Sequence, residues 1–154
     1  MIYRVWARLP RWMRRRLVRL GAPTFSAGVI AVIEDGDRLL LVRLSYRRRW
    51  GMPGGLLARG EHPVATVVRE TAEEVGIAVQ PVGAPTVVVE PIVRRIDIVQ
   101  RCNVAPGSDP TAAEPCSGEI VEARWFPFDD LPVLHDEAAG ALRALGYRVN
   151  QSPR

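Results

Sequence analysis

The sequence predicts an α/β (α+β) protein: an α/β/α sandwich around a mixed β-sheet, with an extra amphipathic helix at the N-terminus. Three observations carry this. Two apolar, β-branched runs, residues 24–34 and 38–44, flank Asp35-Gly36, a hairpin dipeptide. One helix-forming stretch, residues 63–75, has strand-like runs before and after it. A second helical pattern closes the chain at residues 135–145. Strands around one helix, with a final helix, are accommodated by a sheet covered on both faces.

The elements follow in order. Residues 2–20 place Ile2, Val5, Trp6, Leu9, Trp12, Met13, Leu17 and Leu20 at helical spacing, with arginines on the other face. Pro10 kinks this helix or starts a second one. Seven arginines exclude a membrane span, at about 2.5–3.5 kcal/mol each, and no apolar run resembles a signal peptide. Two readings stay open for residues 1–20: packing on the domain or a partner subunit, or peripheral contact with an anionic membrane, where each arginine adds about 1 kcal/mol. Residues 1–22 are therefore set apart from a domain spanning 23–150. Beyond the hairpin come a turn-rich loop, the helix at 63–75, strands at 79–82 and 86–93, a run at 95–104, a loop at 106–118 of low apolar content, a strand at 119–126 and the last helix, with Ala138, Leu142 and Leu145 on one face.

Composition narrows the chemistry. The chain has 154 residues and a net charge of +4, but residues 1–20 hold seven arginines and no acid. The remainder is mildly acidic, which argues against nucleic-acid binding by bulk charge. Lysine is absent, so no lysine nucleophile exists. Cys102 and Cys116 make neither a disulfide framework nor a zinc site; a reduced, cytoplasmic protein is expected. His62 and His135 stand in unrelated contexts. No internal repeat is present.

Residues 55–77 read GLLARGEHPVATVVRETAEEVGI. Pro53-Gly54-Gly55 is turn chemistry, Pro63 suits a first helical turn, and Gly76 suits a helix stop. At about 100° per residue, Glu70, Glu73 and Glu74 share one arc, while Val64, Val68, Thr71, Ala72 and Val75 fall on another face. Two unit charges about 5 Å apart repel by about 3 kcal/mol at an effective dielectric of 20. A hard divalent cation with oxygen ligands reverses that sign; a solvated acidic face is the bland alternative.

This stretch resembles the signature of the Nudix (MutT-type) hydrolases, G-x5-E-x7-R-E-U-x-E-E-x-G-U, where U is a bulky apolar residue. Gly55, Glu61, Arg69, Glu70, Glu73, Glu74 and Gly76 match the fixed positions; Thr71 departs at the first U. The resemblance implies the sandwich fold and metal-dependent hydrolysis of a nucleoside diphosphate linked to another group, with water attacking phosphorus. It implies Mg2+ or Mn2+ held by Glu70, Glu73, Glu74 and the Gly54 carbonyl. Arg69 would orient a box carboxylate and Glu61 would support the loop. Glu70, or a carboxylate near it, would act on the water, with the base left unassigned. A late ligand is expected from Glu119, with Glu122 the competitor. Arg47, Arg48, Arg49 and Trp50 are candidates for phosphate or base contacts, against the alternatives of a solvated loop and a packed ring, and Arg94 and Arg95 carry the same pair of readings.

Marks of the ADP-ribose, dinucleoside polyphosphate and coenzyme A members are not found, which leaves a nucleoside triphosphate or nucleotide sugar as the expected substrate. The partner is thus a nucleotide-type small molecule, with no DNA-binding domain and a homodimer left open. The alternatives are a ligand-sensing or a membrane-associated module of the same fold without turnover.

Overall fold

The computed structural model describes residues 10–21 and 24–149. Its elements are α1 (Arg11–Gly21), β1 (Ser26–Asp35), β2 (Arg38–Leu44), β3 (Gly54–Leu56), α2 (Pro63–Val75), β4 (Val79–Glu90), β5 (Arg95–Val104), β6 (Ile120–Pro127) and α3 (Asp136–Ala144), with a 3-10 turn at Pro110–Ala112. The sheet runs β4-β5-β1-β2-β6, and β3 pairs with β1 off that path. Only β1–β5 is parallel among these pairings, so the sheet is mixed, as the sequence predicts.

Alternation along the central strands builds two cores, because successive side chains point to opposite faces. Val29, Ala31 and Ile33 of β1 pack with Leu40 and Val42 of β2 beneath Val67 and Val75 of α2. Ile30 and Val32 pack with Leu39 and Leu41 against Ala138, Ala141 and Leu142 of α3. A sheet buried on both faces explains why these strands read as near-continuous apolar runs.

The structure departs from the sequence reading at two places. The runs at 79–82 and 86–90 form one strand, β4, whose ladder to β5 passes through an irregularity between Val82 and Thr86, while 91–93, expected as strand, lie in the turn to β5. Gly83, at φ 69°, and Pro85 form that bulge, and an edge strand tolerates the missing N–H. The buried stripe of α2 is Val67, Thr71 and Val75 with Thr66, while Ala72 is exposed and Val64 and Val68 are half-buried. The helix is rotated because Glu70 and Glu74 press on β3 and do not point to solvent. A helix does begin after Pro10, one of the two readings the sequence left for that proline: the Pro10 carbonyl accepts from Arg14 N at 3.1 Å, and Trp12 and Val18 are exposed. The apolar positions before Pro10 lie outside the described residues. Among the described residues, no helix is long and apolar enough to cross a membrane.

One topological detail positions the site. β2 and β3 share the same edge of β1: β3 pairs at Gly28–Ile30 and β2 at Glu34–Asp35. The two strands part between these contacts, held by Gly51–Val42 and Pro53–Ala31 backbone bonds of 2.8–3.0 Å. A notch opens there between the layers.

Candidate active site

The notch is a cavity of about 620 Å3 whose walls come from β1, β2, β3, α2, the 117–120 segment and the start of α3. Glycines at its floor are set by contact. A Cβ on Gly54 would lie 2.1 Å from the Val29 carbonyl oxygen, and one on Gly55 would lie 2.5 Å from the Glu70 carboxylate. The β3 backbone therefore approaches the helix closely enough for Gly54 N to donate to Glu74 Oε2 at 3.0 Å.

Arg69 organises the helix carboxylates. Its Nε and Nη2 donate to the two oxygens of Glu61 at 2.9 and 3.2 Å, Nη2 also reaches Glu70 Oε1 at 2.9 Å, and Nη1 reaches Glu73 Oε2 at 2.9 Å. The Arg69 hydrogen bonds lower the Glu61 pKa, and the same bonds raise that of the guanidinium. The three glutamates differ in setting. Glu70 is 17% exposed and Glu73 is 59% exposed. Glu74 lies against Gly54, and its pKa is pushed up to about 7, first by burial and then by repulsion from Glu70, Glu119 and Glu73, with the Gly54 hydrogen bond opposing.

Glu119 reaches the site through a loop that the sequence showed only as polar. Glu114 N and Cys116 N donate to the last carbonyls of α2, Val75 O at 3.2 Å and Glu74 O at 2.9 Å. These bonds satisfy orphan groups at the helix end and pin Ser117–Glu119 beside the cavity. Glu122, by contrast, bonds Arg43 at 2.7 and 3.0 Å across β2–β6 and pairs with Arg124; it is not in the cavity wall.

The remaining sequence candidates separate. Arg47 lines the cavity and bonds Glu137 at 3.1 Å. Arg49 is outside the lining and lies 3.5 Å from Asp136. Trp50 takes the packing alternative, edge-on to Phe126 at 4.8 Å. Arg95, open in the sequence between a phosphate contact and a solvated arginine, is in the cavity wall, as are Ser117, His135 and Glu137, which sequence reasoning missed. Ser117 Oγ and His135 Nε2 are buried without a hydrogen-bond partner. Burial and then the Arg47 charge hold the His135 pKa below its ordinary value, Glu137 opposing.

Carboxylates and a carbonyl form an all-oxygen donor set, the chemistry of Mg2+ or Mn2+ sites. Among the described residues, no three acidic, histidine or cysteine side chains converge into a ready-made cage, since Arg69 draws Glu70 and Glu73 toward itself. The fit rests on Glu74: a desolvated carboxyl facing three others, with only one backbone N–H to oppose the repulsion. Such a group gains from a cation.

The family model described as NUDIX domain matches residues 23–145. A CMP-5'-(N-acetyl-N-hydroxy-3-aminopropyl)phosphonate hydrolase of Streptomyces rubellomurinus is 30% identical over 136 residues, covering 79% of this chain and 64% of that protein. The chain thus spans less than two thirds of that relative's length. A NUDIX hydrolase from Nitrosomonas europaea has a similar fold, with TM-score 0.63 at 22% identity over 78% of this chain and 69% of that one. An ADP-ribose pyrophosphatase from Streptococcus suis gives TM-score 0.60 at 27% identity over 83% and 96%.

Proposed function

The chain belongs to the NUDIX family, and on that premise we propose that it is a metal-dependent pyrophosphohydrolase. Its substrate would be a nucleoside diphosphate linked to another group, a nucleoside triphosphate or a nucleotide sugar. One observation carries the reading: Glu70, Glu74 and Glu119 line the same cavity as Gly54 and Arg47. Carboxylates that would hold a cation thus share a chamber with a cation that can meet phosphate. The similar proteins act, by their names, on a nucleotide joined to another group, which fits this substrate class.

Mg2+ or Mn2+ bound by Glu70, Glu73, Glu74, Glu119 and the Gly54 carbonyl would supply charge neutralisation at phosphorus. The chain's own residues do the rest. Arg69 fixes Glu61, Glu70 and Glu73 in direction through its ion pairs. The Gly54 N–H orients Glu74. Glu70, or a carboxylate beside it, takes the proton of the attacking water, and Arg47 meets the phosphates. Arg49 and Trp50 act at one remove, by holding the loop that carries Arg47.

Residues 1–22 form a separate segment in this reading, and residues 23–150 the domain. Trp12 and Val18 stand exposed beside Arg11 and Arg16, which supports peripheral contact with an anionic membrane by an otherwise cytoplasmic protein. Co-sedimentation with anionic liposomes, with and without residues 1–20, tests that part; gel filtration tests a homodimer. For the catalytic reading, the experiment is a phosphate-release screen with magnesium over nucleoside triphosphates, nucleotide sugars, dinucleoside polyphosphates and capped RNA. Turnover of at least one class supports it. Binding without turnover anywhere would replace it with a ligand-sensing module.

A further inference from the structure

The cavity holds a second charged cluster on its α3 side. Glu137, in the first turn of α3, sits between two arginines: Arg47 Nη1 donates to its Oε2 at 3.1 Å, and Arg95 Nη1 lies 3.9 Å from its Oε1. Arg95 is anchored from behind, its Nε donating to both oxygens of Asp97 at 2.7 and 3.0 Å. Asp97 is only 2% exposed. Room for this pair is made by Gly28, where a Cβ would lie 2.7 Å from Asp97 Oδ1 and 3.1 Å from Arg95 Nη2. Beside it, His135 presents the buried, unpartnered Nε2. Arg47, Arg95, His135 and Glu137 all face the cavity.

The four contacts are unequal. Asp97 cannot leave Arg95 without stranding a buried charge, a costly event. Glu137 can leave. Its 3.9 Å approach to Arg95 is too long for a hydrogen bond, its side chain is 38% exposed, and a solvated ion pair of this kind contributes little. The anchored guanidinium of Arg95, the guanidinium that Glu137 releases on Arg47, and an imidazole would then face an incoming ligand. Planar guanidinium donors favour carboxylate and phosphate oxygens.

We propose that Arg47, Arg95 and His135 form a second anion subsite, that Glu137 fills it in the free protein, and that the substrate carries an anionic group which displaces Glu137. That group is either the terminal phosphate of a nucleoside triphosphate or an acidic group on the moiety attached to the nucleoside diphosphate. The substrate part of this proposal rests on the hydrolase reading above; the subsite part does not.

The subsite is tested without catalysis. Inorganic phosphate is titrated into metal-free wild-type protein, Glu137→Gln, Arg47→Gln and the double variant. Glu137→Gln should bind phosphate at least fivefold more tightly than wild type, and the double variant should lose that gain. Equal affinity in Glu137→Gln and wild type, or an undiminished gain in the double variant, overturns the subsite. Arg47 is chosen over Arg95 because its removal leaves the buried Asp97 paired, so folding is not at risk. With magnesium, KM is then compared within two pairs, UTP with UDP and UDP-glucuronate with UDP-glucose. A KM at least threefold lower for the more charged member, widened by Glu137→Gln and lost in Arg47→Gln, supports the substrate claim and identifies which source of anion is used. Turnover without discrimination in either pair overturns that claim. Absence of turnover across these four compounds overturns the substrate claim, absence across the whole screen above refutes the hydrolase reading as well, and phosphate titration decides the subsite in either case.

Discussion

Glu74→Gln separates the stability of the helix from the chemistry of the site. The wild-type carboxyl has an ordinary value of 4.5 and is pushed up to about 7 in the folded chain. The folded state therefore holds a proton that the unfolded state gives up at lower pH. The stability this contributes is complete below pH 4.5 and lost as pH rises through about 7. At about 1.4 kcal/mol per tenfold change, the loss is at most about 3.5 kcal/mol, reduced to about 1–3 by the solvent that reaches the cavity. Glutamine keeps the volume and still accepts from Gly54 N, and it has no charge to desolvate. In urea unfolding with EDTA, Glu74→Gln should match wild type near pH 5 and exceed it by about 1–3 kcal/mol at pH 8. Comparing the two proteins at each pH cancels the titrations that do not interact with Glu74; those of Glu70, Glu73 and Glu119 are coupled to it. With magnesium at pH 8 the order reverses in function: kcat should fall at least 100-fold (about 2.7 kcal/mol of barrier), because the displaced charge is the one a cation needs. Glu70→Gln should behave alike in turnover, while Glu122→Gln, whose residue is tied to Arg43 and Arg124 outside the cavity, should change it little. A stability difference between variant and wild type that does not vary with pH would refute the burial argument. Wild-type turnover of Glu74→Gln at saturating magnesium would refute the metal role.

Hydrolysis should stop in excess EDTA and return with Mg2+ or Mn2+; full activity under chelation would sink the cation reading. Deleting residues 1–20 should leave kcat/KM within about twofold, because every cavity residue lies downstream of position 28; a soluble, folded truncation that has lost the chemical step would show that the site extends further. Gly55→Ala should lower kcat at least tenfold and cost about 1–3 kcal/mol in thermal unfolding, since its Cβ would lie 2.5 Å from the Glu70 carboxylate; normal kinetics would mean that β3 shifts freely. Thr71→Val should stay within about 1 kcal/mol of wild type, because the Thr71 hydroxyl donates at 2.8 Å to Val67 O, a helix carbonyl that keeps its main-chain donor; a larger loss would show that the hydroxyl is needed in the core.

The glutamate cluster was legible because it is local in sequence. Glu70, Glu73 and Glu74 lie within two turns of one helix, and the glycines that Glu70 and Glu74 meet, Gly55 and Gly54, are close upstream in the chain. Fixed spacing therefore encodes their meeting. The face of α2 was less legible. A 100° count sets carboxylates opposite valines, but a helix that must lay Glu70 on Gly55 and Glu74 on Gly54 buries Val67 and leaves Ala72 out. Periodicity reports amphipathicity and is silent on which polar residues are pressed against a neighbour. Strand bounds failed for a related reason: Gly83 and Pro85 look like a turn locally, and only the β5 ladder carries β4 through them. Least legible were His135, Glu137 and the place of Arg95 beside them. Each is an ordinary residue for its position: a strand-start arginine, a residue before a helix, an acid in a first turn where the dipole favours it. What joins them is the parallel β1–β5 pairing, which lays Arg95 beside Ser26 at the start of β1, and the return of the chain after β6 to the opposite face. No spacing rule links positions 47, 95 and 137; the sheet order does. The part of a cavity that does phosphorus chemistry can thus be written into one short segment, while the part that selects the substrate is assembled from distant loops and helix starts, where a sequence motif has nothing to register.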